Sequence, residues 1–382
     1  MINFSLTDEQ LAIKKMAGDF ARAEILPKAA EYDRSGEYPA EIVKKAFEAG
    51  LVYGPIPEEY GGEGLSALDQ LIIAEELSAG CAGIGSCIAI NSLAAIPLVY
   101  FGSEELKEKY LKKICAEDKL LALCVTEPGA GSDVSAICTI AQKESDHYII
   151  SGNKTFITNG GVADYYIVFA SIDRSLGHKG ITAFLVPADS DGLSAGKKED
   201  KMGQRAANTT DVIFDNVTVP LENRVGDEGQ GFKIIMQTFN HSRPGVGASA
   251  VGVARSAMEY ALKYAAEREQ FGMPIFMHQA VMFMLADMAK DIEAGRLLAW
   301  QAAWKGSQGL DNSKEAAFAK LFCGDMVMKV TTDAAQVLGG YGYIKDYPVE
   351  KLMRDAKVFQ IYEGTAQIQR LLIGRALFKE YF

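Results

Sequence analysis

The hydrophobic period of this chain changes twice, and those two changes constrain its fold more than any single motif. Thr7-Asp8-Glu9-Gln10 reads as a capping box, and Leu11, Met16, Phe20 and Ala23 then recur at helical spacing up to a break at Pro27. Further helices are expected from Pro39 to Gly50, over Leu68 to Leu77 and over Glu104 to Ile114, so residues 1–120 read as an N-terminal α-helical domain. From Leu121 the period shortens. Tyr165 to Ala170, Ile181 to Pro187 and Asp211 to Val219 are alternating or β-branched runs bounded by Gly, Asp and Asn, and His147 to Gly161 reads as a hairpin turning at Gly152-Asn153. No helices alternate with these strands, so residues 121–230 read as a middle antiparallel β-domain. After Gly229-Gln230-Gly231 the helical period returns over Ile234 to Glu267, Ile275 to Lys305, Lys314 to Leu338 and a last helix from Thr365. Residues 231–382 therefore suit a C-terminal four-helix bundle, and the class is α+β multidomain.

Charge and residue usage exclude several functions. A net charge of -11 lacks the basic face that nucleic acid or a polybasic membrane anchor would need. Cys81, Cys87, Cys115, Cys124, Cys138 and Cys323 form no Cys-x-x-Cys pair, which suits free thiols in a reducing cytoplasm. With only four histidines a histidine-built metal site is not expected, and no metal is assigned. Met1-Ile2-Asn3-Phe4 leads straight into the capped helix, so no secretory leader is expected. Leu77 to Ser103 carries no charge, but glycines, Asn91 and Pro97 interrupt it, which favours a helix buried in the helical domain over a membrane span.

One stretch concentrates the chemistry. Val358 to Tyr362 is too apolar for a solvated loop, yet it stops at Glu363, followed at once by Gly364 and by Thr365, an N-cap candidate for a helix carrying Ile368, Leu371, Leu372 and Arg375. Glu363 would sit at the edge of a core, walled by Tyr362 and by the packing of Ile361. Burial would raise its pKa and the helix dipole would lower it, so it could be poised as a general base. A solvated carboxylate ahead of an ordinary helix fits the same residues equally well. A second stretch, Leu123-Cys124-Val125-Thr126-Glu127-Pro128-Gly129-Ala130-Gly131-Ser132-Asp133, passes from an apolar strand into a loop whose amides and hydroxyls suit phosphate or a flavin edge. It lacks the spacing of a Rossmann or Walker loop.

Taken together, Ile361-Tyr362-Glu363-Gly364-Thr365, the Thr126 to Ser132 loop and Phe156-Ile157-Thr158-Asn159-Gly160-Gly161 resemble the acyl-CoA dehydrogenases. So do Pro57 to Gly62, Arg268-Glu269-Gln270-Phe271-Gly272, His278-Gln279 and Gln336-Val337-Leu338-Gly339-Gly340-Tyr341-Gly342, and the resemblance runs over essentially the whole chain. It implies a β-barrel between two helical domains, with FAD in the cleft between barrel and C-terminal bundle. Leu123, Val125, Thr126, Gly131, Ser132, Phe156, Ile157 and Thr158 would hold the flavin and pyrophosphate, with Phe156 standing where many relatives have tryptophan. Arg268, Phe271, Gln279, Gln336, Val337, Gly339 and Gly340 would meet the adenosine half from the partner subunit of a homotetramer built as a dimer of dimers. Thr365 and Gln367 would also touch FAD. Arg268 could equally be a solvated helix-end cation, and Gln336 to Gly340 a helix C-cap.

The activity so implied is α,β-dehydrogenation of an acyl-CoA in fatty-acid β-oxidation. Glu363 would take the α-proton while a hydride passes to flavin N5, and an electron-transferring flavoprotein would accept the electrons. CoA would be placed by Ser132, by Asn240 to Arg243, where relatives mostly carry aspartate at the Asn240 position, and by the Gly364 backbone. Ile84 to Ala95 would line the far end of the acyl pocket. There Asn91 is a substrate contact or, in the plainer account, a buried amide satisfied by backbone. No arginine occurs in that run to neutralise a dicarboxylic acyl group, while short, medium, branched and alicyclic chains all fit. An oxidase of the same fold using O2, and a flavin-free helical binding protein, are the competing functions.

Overall fold

The computed structural model describes residues 4–382; Met1, Ile2 and Asn3, on which the expectation of a missing leader rests, lie outside the described residues. Six helices open the chain: α1 (Asp8–Phe20), α2 (Ala29–Ser35), α3 (Ala40–Glu48), α4 (Ala67–Gly80), α5 (Ala82–Phe101) and α6 (Glu104–Ala116). The capping box forms as expected, with Gln10 N donating to Thr7 Oγ1 (3.2 Å) and Thr7 N to Gln10 Oε1 (3.1 Å). The chain does not break at Pro27. A π turn and a 3-10 turn carry it into α2, and Pro27 falls early in the 3-10 turn, where its missing N–H matters little. α5 is long and apolar enough to cross a membrane, but Ile84, Cys87, Ile88, Ala94 and Leu98 are fully buried in the core of the helical layer.

Eight strands follow in one sheet: β1 (Leu121–Cys124), β2 (Ile140–Lys143), β3 (His147–Thr158), β4 (Tyr165–Ser171), β5 (Ile181–Pro187), β6 (Leu193–Lys198), β7 (Thr209–Pro220) and β8 (Arg224–Val225). Their order is β6-β7-β3-β2-β4-β5-β8, with β1 also beside β4. Two sequence expectations change. Gly152-Asn153 does not turn a hairpin; it lies at a register shift against β7 inside the continuous twelve-residue β3, which pairs with β7 and β2. Nor is the sheet wholly antiparallel, because β1 and β2 both run parallel to β4. β4 is buried on both faces. Ile167 and Phe169 join the core of the N-terminal helices, while Tyr166 and Val168 join Tyr148, Phe184 and Phe214 on the other side.

The rest is helical: α7 (Gly231–Glu267), a small ladder of β9 (Glu269–Gln270) and β10 (Met273–Pro274), α8 (Gln279–Ser307), α9 (Ser313–Leu338), α10 (Val349–Ala356) and α11 (Ala366–Tyr381). α8 starts later than its sequence suggested because Ile275–Met277 is a separate 3-10 turn, and α10 is a short helix beyond those read from the sequence. α4 crosses α7 so closely that a Cβ at Gly252 would meet Glu75 O at 2.1 Å. Glu75 and Glu76 pair there with Arg296 and Arg255, which joins the N-terminal helices to the bundle. Near the middle of α9 a Cβ at Gly324 would stand 2.8 Å from Phe359 O, so glycine lets α9 lie against the segment leading to Glu363.

Candidate active site

That segment is a short 3-10 turn, Lys357–Gln360, after which Ile361 N (2.8 Å) and Tyr362 N (3.1 Å) both donate to Val358 O. Glu363 and Gly364 then take left-handed backbone angles, φ +52° and +92°. Thr365 closes the turn as the expected N-cap of α11, its Oγ1 accepting from Ile368 N at 3.2 Å. A non-glycine residue held at positive φ costs about 1 kcal/mol or more and persists only where its surroundings impose it.

Those surroundings are three buried side chains from three helices. Arg243 of α7 donates through Nε to Glu363 O (3.3 Å). Gln369 of α11 donates through Nε2 to Glu363 O (3.2 Å) and Gly364 O (3.0 Å), and Lys320 of α9 donates through Nζ to Gly364 O (2.6 Å). The three are 3%, 0% and 1% exposed. Among the described residues nothing accepts from the Glu363 N–H, which leaves it free to donate. Glu363 as a whole residue is half-buried, and its carboxyl group accepts from Ser242 Oγ at 2.5 Å. Its burial raises the Glu363 pKa above the usual carboxylate range, while the Ser242 hydroxyl and then the Arg243 and Lys320 charges pull the other way. Ile361 is no wall for it: its side chain is 52% exposed, and Tyr362 packs inward, edge-on to Phe359.

Gly364→Ala is expected to break this turn, because its Cβ would lie 2.7 Å from Gln369 Nε2 at a backbone angle alanine disfavours. Thermal unfolding should show a loss of about 1 kcal/mol or more, and an unchanged midpoint would count against so tight a turn.

A second cluster surrounds the loop after β1. Lys154 on β3 is fully buried and donates to Val125 O (3.1 Å) and Glu127 Oε1 (2.8 Å). Glu127 also accepts from Cys138 N (2.5 Å) and Thr139 N (3.0 Å). Burial would raise the Glu127 pKa, but Lys154 and these hydrogen bonds hold it below the usual range; burial pushes the Lys154 ammonium down, with Glu127 opposing. Thr155 N donates to Thr126 O (2.9 Å), so the loop and β3 run side by side. Val125 and Ile157 are buried, Leu123, Thr126 and Thr158 half-buried, and Gly131 and Ser132 exposed. Nothing lies within 4 Å of a Cβ built at Gly129 or Gly131. Beside this open loop Phe156 stands 66% exposed at φ +56°, an aromatic face presented by its backbone rather than by packing.

The third cluster lines a cavity of about 510 Å³: Arg268, Val337, Gly339 and Gly340, with Gln270 and Tyr341 among their neighbours. Phe271 (92% exposed), Gln279 and Gln336 are exposed but do not line it. Thr365 is half-buried and Gln367 exposed, one turn from Glu363. The cavity lies far from Glu363, since Lys320 and Leu338 are about 27 Å apart along α9.

Two expected substrate contacts make hydrogen bonds within the protein. Asn91 is fully buried: Nδ2 donates to Cys87 O (2.9 Å) and Ile88 O (3.1 Å), and Oδ1 accepts from Leu121 N (2.8 Å) and Asn159 Nδ2 (3.3 Å). It ties α5 to β1, as the plainer account had it. Arg243 turns inward to Glu363 and to Asn240 Oδ1 (3.1 Å), its guanidinium lying over the Phe239 ring. Ser132, Asn240 and Gly364 keep some exposure. Sequence reasoning missed Lys320 and Gln369, and it placed Ser242 only within the Asn240 to Arg243 stretch expected at CoA, not against the Glu363 carboxyl group. Lys320 had a signal, being the one charge on the α9 face formed by Ala316, Cys323, Val327 and Val330. Among the described residues no group of His, Cys, Asp or Glu is placed to hold a metal.

Three family models match in order: the acyl-CoA dehydrogenase N-terminal domain over residues 7–118, the middle domain over 122–217 and the C-terminal domain over 229–378. An acyl-CoA dehydrogenase of Bacillus subtilis is 46% identical over 97% of this chain and 98% of its own. The solved butyryl-CoA dehydrogenase of Megasphaera elsdenii superposes with a TM-score of 0.96 at 43% identity, covering 99% of this chain and all of its own. A chain in a structure described as the electron transferring flavoprotein of Acidaminococcus fermentans superposes at 0.97 with 46% identity, over 99% and 100% of the two chains.

Proposed function

This chain belongs to the acyl-CoA dehydrogenase family and is an FAD-dependent oxidoreductase; from that premise we propose that it dehydrogenates a short, medium, branched or alicyclic acyl-CoA to the 2-enoyl-CoA, with Glu363 taking the α-proton. The observation that carries the assignment is the Glu363 carboxyl group, raised in pKa by burial and held on a turn that buried donors over-determine. An α-proton next to a thioester is too weak an acid for a solvated carboxylate, so water exclusion and a donor for the developing enolate must act together. The unused Glu363 N–H supplies such a donor, and Ser242 orients the carboxyl group.

The residues fit FAD. The open loop from Gly129 to Ser132 and the outward Phe156 face offer a cradle, and Thr126 and Thr158 bring hydroxyls to its edge. FAD, when bound, supplies the hydride acceptor that no side chain can provide. The 510 Å³ cavity at Arg268, Gly339 and Gly340 suits the adenosine half, and Phe271, Gln279 and Gln336 would reach it as exposed side chains. Its distance from Glu363 supports a second copy supplying those residues, in a dimer within a homotetramer. A groove of about 480 Å³ lined by Met258, Leu262, Phe276, Met282 and Leu285 offers apolar surface for that contact. Thr365 and Gln367 would touch the flavin side, and Ser132, Asn240 and the Gly364 backbone the CoA.

In the same proposal the middle sheet curls into a barrel around Tyr148, Tyr166, Phe184 and Phe214, and the domains divide at 120 and 230. The acceptor is an electron-transferring flavoprotein, in keeping with the Acidaminococcus structure, and the compartment is the cytoplasm, where the free cysteines stay reduced. Anaerobic titration with a panel of acyl-CoA thioesters, read as loss of flavin absorbance, tests the reading. Bleaching by at least one member is expected. No bleaching by any of them would overturn it, and peroxide formation as fast as dye reduction would favour an oxidase.

A further inference from the structure

Lys320 is a residue that packing alone does not explain. It sits on the buried face of α9, 1% exposed, with no salt bridge among the described residues and one hydrogen bond, to Gly364 O at 2.6 Å. A leucine or methionine would fill the same seam without burying an ammonium group. What they could not do is hold a carbonyl or carry a charge. We infer that Lys320 is a positioning residue for Glu363: it anchors the Gly364 carbonyl, so that the left-handed turn keeps the Glu363 amide and carboxyl together in the site, and it sets a positive charge beside the base. The inference rests on Glu363 being the base.

The anchoring is shared but not redundant. Of the two carbonyls Arg243 reaches that of Glu363, and Gln369 divides one amide between both, so among the described residues Lys320 is the one undivided donor to Gly364 O. The charged groups around the base are few. α7 brings Arg243, whose guanidinium also holds Asn240. α9 brings Lys320 and Asp325, and Asp325 is taken up by Gln360 (2.7 Å) and by Arg370 of α11 (2.7 Å). α11 otherwise offers the neutral Gln369, and Tyr362, whose hydroxyl burial pushes upward, stays protonated. Lys320 itself is pushed down to about 8 by burial, against the attraction of Glu363, and so remains charged at neutral pH. Without it the desolvated carboxyl would hold its proton to higher pH, and a smaller fraction would be competent as a base.

Lys320→Met and Lys320→Gln separate the two effects. In single-turnover anaerobic reduction, Lys320→Met should slow flavin bleaching by about tenfold or more and move the acid limb of the pH profile up by about one unit. FAD content and affinity for the enoyl-CoA product should stay within about twofold, because neither contact is made by Lys320. Lys320→Gln restores an N–H donor without charge, so it should recover rate above the limb while keeping the limb displaced. A limb left in place in either variant, or wild-type rates in Lys320→Met, would overturn the inference. If Lys320→Met fails to fold, the limb of Lys320→Gln decides alone. Normal bleaching by Glu363→Gln is a different result, and it would remove the base assignment whatever the lysine variants do.

Discussion

Glu363→Gln should keep FAD and bind acyl-CoA while losing flavin bleaching by about a thousandfold or more, the upper range for removing a general base. Glutamine has the shape to keep the left-handed turn and to accept from Ser242, and the three carbonyl donors are untouched because they bind backbone. The loss is therefore chemical. The measurement is anaerobic mixing with a substrate that bleaches the wild type, and bleaching at the wild-type rate would end the assignment. Stability should move the opposite way. Burial raises the folded pKa of Glu363, so between its ordinary value of about 4.3 and that raised value the native protein holds a proton that the unfolded chain has lost. Wild-type stability falls as pH rises through that window, and the penalty is complete above it. Glu363→Gln lacks this term, so its unfolding midpoint should exceed the wild type's at neutral pH and converge with it in acid.

Lys154→Met should be the most destabilising of these changes, by about 3–5 kcal/mol, because it strands a buried carboxylate. Glu127 would keep the Cys138 and Thr139 amides but lose the Lys154 ammonium beside it, and the Val125 carbonyl would lose its donor. The damage falls on the loop read as the flavin cradle, so FAD affinity should drop with stability. Urea unfolding and FAD titration measure the two separately. The pair also predicts a pH signature: the folded pKa of Glu127 is lowered, so its stabilisation is present above the ordinary carboxylate pKa and is lost as pH falls through the folded one. Adding Glu127→Leu to Lys154→Met should recover much of the loss. A single variant with a wild-type midpoint would mean that the pair contributes nothing net.

The chain's local chemistry marked Glu363, its glycine neighbour and the helix cap from a few adjacent residues, because a capped helix start after an apolar run is a short-range pattern. The helical and strand-rich regions were legible for a similar reason, since side-chain period reports backbone geometry one turn or one pleat at a time. The continuous β3 through Gly152, the parallel pairing of β1 and β2 with β4, and the inward turn of Arg243 were not legible. Each depends on a partner far along the chain. Asn91 illustrates the limit: a polar residue in an apolar helix suggests either a contact or a strut, and only Leu121 and Asn159 arriving from the sheet decide for the strut.

Sequence alone thus determined that a carboxylate stands at a helix entrance beside a flexible glycine, because that arrangement is written in consecutive residues. Tertiary structure decided that this carboxylate is desolvated and its backbone held left-handed, because Arg243, Lys320 and Gln369 come from α7, α9 and α11 and meet only when those helices pack. Hydrogen bonds to a carbonyl act over about 3 Å, and no spacing along one chain segment could bring three such donors there.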